Sequence, residues 1–239
     1  MTNKTGKISK ETLIEMYEAL KIANAIKCED ILFDDFGVSA NSHATNVLII
    51  QPSEYEYEFG AIGMGRIPDV IPKMRLLIDD PTLTGTFEEF RAGVVGAITL
   101  KTKKTKLEIR CKDPKTIKTK KNFHDKHIMS FALTAEAIKF MTQTVIAGSD
   151  QEIMFSLEDT KMILKILDGK SGDSLEHVIT DDVNILDDTI GNVSFVYLFP
   201  RLSTVLSQYK EDTQVNISSR GVMNLKSDGF NLYVIAGTQ

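Results

Sequence analysis

The sequence has few cysteines and no long apolar run. Its 239 residues include two cysteines, Cys28 and Cys111, fewer than a secreted scaffold held by disulfides would normally carry. Apolar runs such as VLII at 47 to 50 fall far short of the roughly 20 residues that a membrane-spanning helix needs. The polar start MTNKTGK lacks the apolar core of a secretion signal. We expect a soluble, intracellular protein without a membrane partner, and a pairing of the two cysteines stays open.

Motifs for catalysis or cofactor binding are also weak. The glycine-rich stretch GAIGMG at 60 to 65 lies between a predicted strand and a predicted helix, but it lacks both the GxGxxG spacing and the GK[ST] of a phosphate-binding loop. His124 and His127 form an HxxH pair without the further ligands that a metal site needs. No nucleophile can be paired with a base. We expect no cofactor, no metal and no enzymatic activity, and an enzyme with a nucleotide at 60 to 65 stays an open alternative.

Charge is unevenly distributed along the chain. The formal net charge is −5, yet residues 101 to 121 hold ten Lys or Arg against Glu108 and Asp113. A basic segment therefore accompanies an acidic remainder. Such a segment is either a solvated hairpin and linker or a surface that contacts phosphate, and the sequence leaves both interpretations open.

Four amphipathic helices are predicted among many short strands. Ser9 is a suitable N-cap for a helix over 10 to 22, and Asp69 for a second helix. In the second half, Thr134 is a suitable cap for a third helix and Pro200 a suitable first residue of a fourth. The intervening β-prone segments, separated by turn residues, predict antiparallel strands. The fold class expected is therefore α+β.

The order of elements repeats on the two sides of a lysine-rich stretch. Residues 112 to 127 contain Pro114 and no hydrophobic period, which predicts a solvated connector. The predicted domains are thus 1 to 111 and 128 to 239, each with two helices and several strands. An inexact repeat of this length indicates two similar domains rather than one.

Several segments resemble DNA polymerase sliding clamps of the proliferating cell nuclear antigen type. FDDFGVSANSHATNVLII at 33 to 50 is similar to a strand-turn-strand of that family, and SKETLIEMYEAL at 9 to 20 to its first helix. VSFVYLFPRLSTVLSQYKEDTQVNIS at 193 to 218 resembles the last helix and the strand after it. NLYVIAG at 231 to 237 resembles the C-terminal strand. The resemblance covers nearly the whole chain and extends to the clamps of tailed phages.

The resemblance implies two clamp domains, each with two helices packed on antiparallel sheets, and a closed ring formed by a homotrimer. Such a ring is a processivity factor: it encircles double-stranded DNA without reading sequence and tethers DNA polymerase and other DNA enzymes after a clamp loader has placed it. The protein would act in the cell with the replicating DNA, in the cytoplasm of a bacterial host if a phage encodes it. The alternative is a non-ring nucleic-acid-binding accessory protein that uses residues 101 to 121.

Two sets of site residues follow. If the helices line a ring, basic side chains on their outer faces would contact phosphate; these are Lys10, Lys21, Lys73, Lys139, Arg201 and Lys210. Glu15 and Glu18 depart from this pattern, because they place negative charge on the first helix. In the resembling family, short peptides bind beneath the connector against a turn and the C-terminal tail, which by position nominates His43, Ala44, Val234, Ala236 and Gly237.

Overall fold

The structure is a computed structural model that describes residues 4–42, 47–51, 60–118, 126–143, 152–167, 172–227 and 230–235. The chain divides into two compact units, the first made of Met1–Ala44 with Leu48–Asn122 and the second of Thr45–Val47 with Phe123–Gln239. Among the described residues, no helix is long and apolar enough to cross a membrane.

The described part of the first unit has two helices and eight strands. In chain order they are β1 (Thr5–Ile8), α1 (Lys10–Ala25), β2 (Asp30–Asp34), β3 (Gly37–Ser42), β4 (Val47–Gln51), β5 (Ile62–Gly65), α2 (Ile67–Ile78), β6 (Thr84–Arg91), β7 (Val94–Lys101) and β8 (Lys106–Arg110). One sheet has the strand order β1-β6-β7-β8, and the other strands follow the order β4-β3-β2-β5.

The described part of the second unit has two helices and nine strands. These are β9 (His127–Leu133), α3 (Ala135–Gln143), β10 (Glu152–Glu158), β11 (Lys161–Leu167), β12 (Ser174–Thr180), β13 (Asn184–Ile185), β14 (Val193–Leu198), α4 (Phe199–Leu206), β15 (Thr213–Ser218), β16 (Val222–Ser227) and β17 (Phe230–Ile235). The strand orders are β12-β11-β10-β14 and β13-β9-β15-β16-β17.

The two units repeat one topology. The order β1-β6-β7-β8 in the first unit corresponds to β9-β15-β16-β17 in the second, and β4-β3-β2-β5 corresponds to β12-β11-β10-β14. In each unit the first helix follows the first strand, and the second helix precedes the last three strands. The predicted α+β class with two similar domains, each with two helices and antiparallel sheets, is confirmed.

Helix α1 forms where the sequence predicts it. Ser9 is the N-cap, and its Oγ accepts a hydrogen bond of 3.0 Å from the N–H of Thr12, which satisfies one of the free donors of the first turn. Leu13, Met16 and Leu20 are fully buried, as their i, i+3, i+7 spacing requires. The helix extends to Ala25, beyond the predicted end at residue 22.

Helix α2 begins earlier than predicted. Its first residue is Ile67, which is fully buried, and its N-cap is Arg66 in the left-handed conformation with φ 54°. The prediction of Asp69 as N-cap is wrong, because burial of Ile67 and a proline at Pro68, where no helical N–H bond is lost, favour an earlier start. Pro72 consequently lies inside the helix.

The helices of the second unit start close to their predicted positions. The Oγ1 of Thr134 accepts a hydrogen bond of 3.1 Å from the N–H of Ala137, which confirms the predicted cap of α3. Helix α4 begins at Phe199, so Pro200 is its second residue and not its first. Proline tolerates both positions, since neither N–H has a partner within the helix.

The core of the second unit contains hydrogen-bonded tyrosines. The ring of Tyr197 packs edge-on against Phe155, with centroids 5.6 Å apart, and its hydroxyl donates a hydrogen bond of 2.9 Å to the carbonyl of Gly221. The hydroxyl of Tyr209 donates one of 2.9 Å to the carbonyl of Leu225. Burial raises the pKa of both hydroxyls, so they stay neutral donors.

The described start of the predicted connector is docked on the first unit, although Lys112, Lys115, Thr116 and Lys118 are exposed. The N–H of Lys112 donates a 2.7 Å hydrogen bond to the carbonyl of Gly63, and its ammonium lies 2.5 Å from a carboxylate oxygen of Asp30. A short 3-10 helix follows at Pro114–Thr116, and Ile117 is buried. The sequence did not predict this docking, because the contacts are made by backbone atoms and by residues that are far away along the chain.

Candidate nucleic-acid and partner interfaces

Both basic residues predicted to face DNA from α1 are held by neighbours. The Nζ of Lys10 donates a 3.0 Å hydrogen bond to the carbonyl of Asp80, just beyond the C-terminus of α2. The Nζ of Lys21 lies 2.6 Å from a carboxylate oxygen of Glu18 and 5.5 Å from the ring centroid of Tyr17. A phosphate would have to compete with these contacts.

The outer face of α1 is not basic. Glu11 and Glu18 are exposed and Glu15 is half-buried, whereas Lys21 is the exposed base of the helix. Carboxylates on a face turned towards DNA would repel phosphate. If α1 faces DNA as predicted, its outer face would therefore add little attraction.

The remaining predicted DNA contacts belong to three other elements. Lys73 is exposed on α2, Lys139 is exposed on α3, and Lys210 is exposed after α4. Arg201 lies on the first turn of α4, and its side chain lies outside the described residues. Beside Lys73, helix α2 also exposes Leu76, whose exposed fraction of 83% is unusual for a large apolar side chain on a regular helix.

Two strands end their sheets with contrasting side chains. Strand β8 is the last strand of β1-β6-β7-β8, and it exposes Lys106 and Arg110. Strand β12 is the last strand of β12-β11-β10-β14; it exposes Leu175 and Val178 together with Glu176. An edge strand presents unpaired N–H and C=O groups to a further strand.

An aromatic stack supports strand β12 from the helix side. The imidazole of His177 stacks on Phe140 of α3, with ring centroids 4.2 Å apart. His177 is also the cross-strand partner of Leu164, which is fully buried. The edge strand is thereby held in position by α3 as well as by its pairing with β11.

Only part of the predicted partner site falls on described residues. Val234 lies in β17 and is 1% exposed, so its side chain fills the core and offers no contact surface. His43, Ala44, Ala236 and Gly237 lie outside the described residues. The first unit has a cavity of about 160 Å³ lined by Glu29, Asp30, Asn41, Thr116, Ile117 and Lys118.

The glycine-rich stretch is a strand, not a loop. Residues Ile62–Gly65 form β5 and pair with β2. A side chain at Gly63 would bring its Cβ within 2.5 Å of the carbonyl oxygen of Lys112, so close backbone packing explains this glycine. The alternative of a nucleotide site at 60 to 65 rested on a loop between a strand and a helix, and the structure has strand β5 at Ile62–Gly65 instead.

The described residues hold no activated thiol and no metal cluster. Burial raises the pKa of the Cys28 thiol to about 12 and that of Cys111 to about 12, so both are protonated and unreactive at neutral pH. His127 lies in β9, and His124 is outside the described residues. In the part of the chain that the structure describes, no group of three or more His, Cys, Asp or Glu is arranged to hold a metal ion.

Comparison with known proteins identifies the fold. No family model matches the chain, and no curated protein matches it in sequence. Among solved structures, PCNA from Thermococcus kodakaraensis is similar with a TM-score of 0.64 and 13% identity over 98% of this chain and 99% of that one. A. fulgidus PCNA, solved with the C-terminal region of FEN-1 bound, has a TM-score of 0.65 and 11% identity over 98% of each chain.

A bacterial clamp has the same architecture in a longer chain. The H. pylori beta clamp has a TM-score of 0.70 and 10% identity over 99% of this chain and 64% of that one. Two repeated α+β units together with these likenesses define the class: the chain has the fold of the DNA sliding clamps. The resemblance noted in the sequence is confirmed at the level of the fold.

Proposed function

We propose that this chain is a DNA sliding clamp, in which three copies form a closed ring around duplex DNA. Domains 1 to 111 and 128 to 239, joined by the connector 112 to 127, would make up each subunit. The ring would act as a processivity factor that tethers DNA polymerase and other DNA enzymes, and a clamp loader would place it on DNA. It would hold its partners on DNA and catalyse no reaction itself.

The chemical complementarity of strands β8 and β12 carries this proposal. Strand β8 offers Lys106 and Arg110 beside an open backbone edge, and Arg110 reaches Glu108 at 2.8 Å on the same face. Strand β12 carries Glu176 and is flanked by the exposed residues Asp173 and Asp181. A β8 edge on one copy can pair with a β12 edge on the next, with opposite charges alongside.

Apolar exposure on β12 supports the same arrangement. Val178 is 50% exposed and Leu175 is 40% exposed, and they lie on opposite faces of the strand because successive side chains alternate. A neighbouring strand would cover both faces of this edge. Head-to-tail contacts between unlike surfaces close into rings when the rotation between copies permits it.

The ring would attract DNA weakly through its helices. Lys73, Lys139, Arg201 and Lys210 are the basic residues proposed to contact phosphate, with Lys10 and Lys21 available only after they leave their present partners. Contacts of this kind position a duplex without reading its bases. Such indifference to sequence is what sliding requires.

Partner peptides are proposed to bind beside the start of the connector. The A. fulgidus PCNA structure contains the C-terminal region of FEN-1; we infer that short segments of DNA enzymes bind this chain as well. The cavity is lined by Asn41 and Thr116, and Asn41 precedes His43 and Ala44 closely in the sequence. Ala236 and Gly237 are the further residues that we propose for this surface.

The mass of the assembly in solution, measured with its outline, tests the proposal. Light scattering should give three times the 26.6 kDa of one chain, and negative-stain images should show closed rings. Assembled rings should remain on circular duplex DNA and be lost once that DNA is cut. A monomer at micromolar concentration that still binds DNA would instead favour the non-ring accessory protein.

A further inference from the structure

The end of the β7–β8 hairpin concentrates positive charge. Lys101 and Lys106 are cross-strand partners at the last pair of the ladder, and Lys103 and Lys104 are in the turn between them; all four are exposed. Like charges directly opposite one another destabilise a strand pair. An anionic partner would offset this repulsion.

The turn is held in one conformation. The Oγ1 of Thr102 accepts hydrogen bonds from the N–H groups of Lys104, at 3.3 Å, and Thr105, at 3.1 Å. Thr102 is buried, and its own N–H donates to the carbonyl of Thr105 at 2.9 Å. The lysine side chains therefore project from a fixed backbone, which lowers the entropy lost when they bind.

Hydrogen bonds place this turn at one end of the two helices. The N–H of Lys103 donates to Thr82 Oγ1 at 3.2 Å, and the Thr82 hydroxyl donates to a carboxylate oxygen of Asp80 at 2.6 Å. Lys10, the first residue of α1, donates to the carbonyl of the same Asp80. Hydrogen bonds from Thr82, followed by the ammonium groups of Lys10 and Lys103, lower the pKa of the Asp80 carboxyl.

The fold itself does not require these lysines. In the repeated topology, the connection from β16 to β17 corresponds to the turn between β7 and β8, and the sequence at 227 to 230 is Ser-Asp-Gly-Phe. Of these two corresponding hairpins, the one in the first unit has the basic end. The outer face of α1, by contrast, carries more exposed carboxylates than bases.

We propose that the hairpin end Lys101–Lys106 binds the phosphate backbone of duplex DNA where the duplex leaves the helix-lined opening. This inference rests on the proposed clamp function. The hairpin would supply part of the attraction for DNA that the outer face of α1 does not provide. Lys103 and Lys104 precede β8, so they are available to DNA even when β8 pairs with a neighbouring subunit.

The test compares two double variants that lose the same charge. Lys103→Gln/Lys104→Gln removes the turn lysines, and Lys126→Gln/Lys161→Gln removes two exposed lysines of the second unit as the control. Binding to a short fluorescent duplex is measured by anisotropy over a series of salt concentrations, and the mass of each variant by light scattering. The slope of log K against log salt should fall by about 1.8 for each subunit whose turn contacts the duplex, at about 0.9 per phosphate contact, and it should stay constant for the control.

Each other outcome overturns a defined part of the inference. An unchanged slope in the turn variant overturns the hairpin contact, as does an equal loss in both variants, which would indicate attraction by overall charge. If the turn variant has a mass below that of the trimer and an unchanged slope, the turn lysines belong to the subunit contact and the hairpin contact with DNA is overturned. If the unaltered protein is a monomer and the turn variant alone loses slope, the hairpin contact stands and the ring is wrong.

Discussion

Arg91 and Asp113 form a two-oxygen ion pair: the Nη2 of Arg91 lies 2.8 Å and 2.9 Å from the two carboxylate oxygens of Asp113. Arg91 ends β6, and Asp113 is the N-cap of the 3-10 helix at Pro114–Thr116. The pair therefore ties the beginning of the predicted connector to a hairpin of the first unit.

Replacing Arg91 by Ala should loosen the connector without unfolding the unit. Both partners are more than one third exposed, so the loss of global stability should stay below about 1 kcal/mol. Hydrogen exchange at residues 112 to 118 should become faster. Lys21→Ala, which removes the exposed pair with Glu18, serves as the control and should leave exchange at 112 to 118 unchanged. Equal exchange in the two variants would contradict the anchoring role.

Replacing Val178 by Lys should open the proposed ring. The substitution places an ammonium group in the contact surface of β12, and burying an unpaired charge is costly. Light scattering should show a shift from trimer towards monomer. Leu186→Lys changes a residue of similar exposure, 45% against 50%, outside the edge strand, and it should keep the trimer mass. A trimeric Val178→Lys protein would place the subunit contact elsewhere.

Replacing Asn41 by Arg should block partner binding. Asn41 lines the cavity of about 160 Å³ beside the connector, and an arginine there would fill the space that we propose a short peptide enters. Stimulation of the cognate polymerase should be lost while ring mass and thermal unfolding stay unchanged. Ala44→Arg should act in the same way. Stimulation that survives both changes would direct attention to the basic connector from Lys112 to Lys121.

Stability should fall as the pH rises above about 9, and Cys28 should contribute to the decline. Burial raises the pKa of its thiol to about 12, whereas an unfolded thiol ionises near 8.5. Between these values the unfolded chain binds fewer protons, so the free energy of unfolding decreases by about 1.4 kcal/mol per pH unit for this group. Urea unfolding of the unaltered protein and of Cys28→Ala at pH 8 and 10 gives the free energy of unfolding of each protein at each pH. An equal decrease from pH 8 to pH 10 in both proteins would show that Cys28 does not contribute.

The sequence determined the elements that depend on neighbouring residues. Ser9 and Thr134 cap the helices that they were predicted to cap, because a capping bond spans only three residues. The buried positions Val70, Met74 and Leu77 of α2 follow from helical spacing alone. The same local signals predicted two helices in each half of the chain. This repeat indicated the α+β class with two similar domains.

Tertiary structure decided everything that depends on distant partners. Gly63 lies in strand β5, which pairs with β2, and the carbonyl oxygen of Lys112 leaves no room for a side chain there. The basic turn at Lys103 and the start of α1 at Lys10 are linked through Thr82 and Asp80, which are distant from both in sequence. Which strands remain at the edge of a sheet likewise depends on pairing between segments far apart in sequence, since a strand's own side-chain alternation does not specify its neighbours.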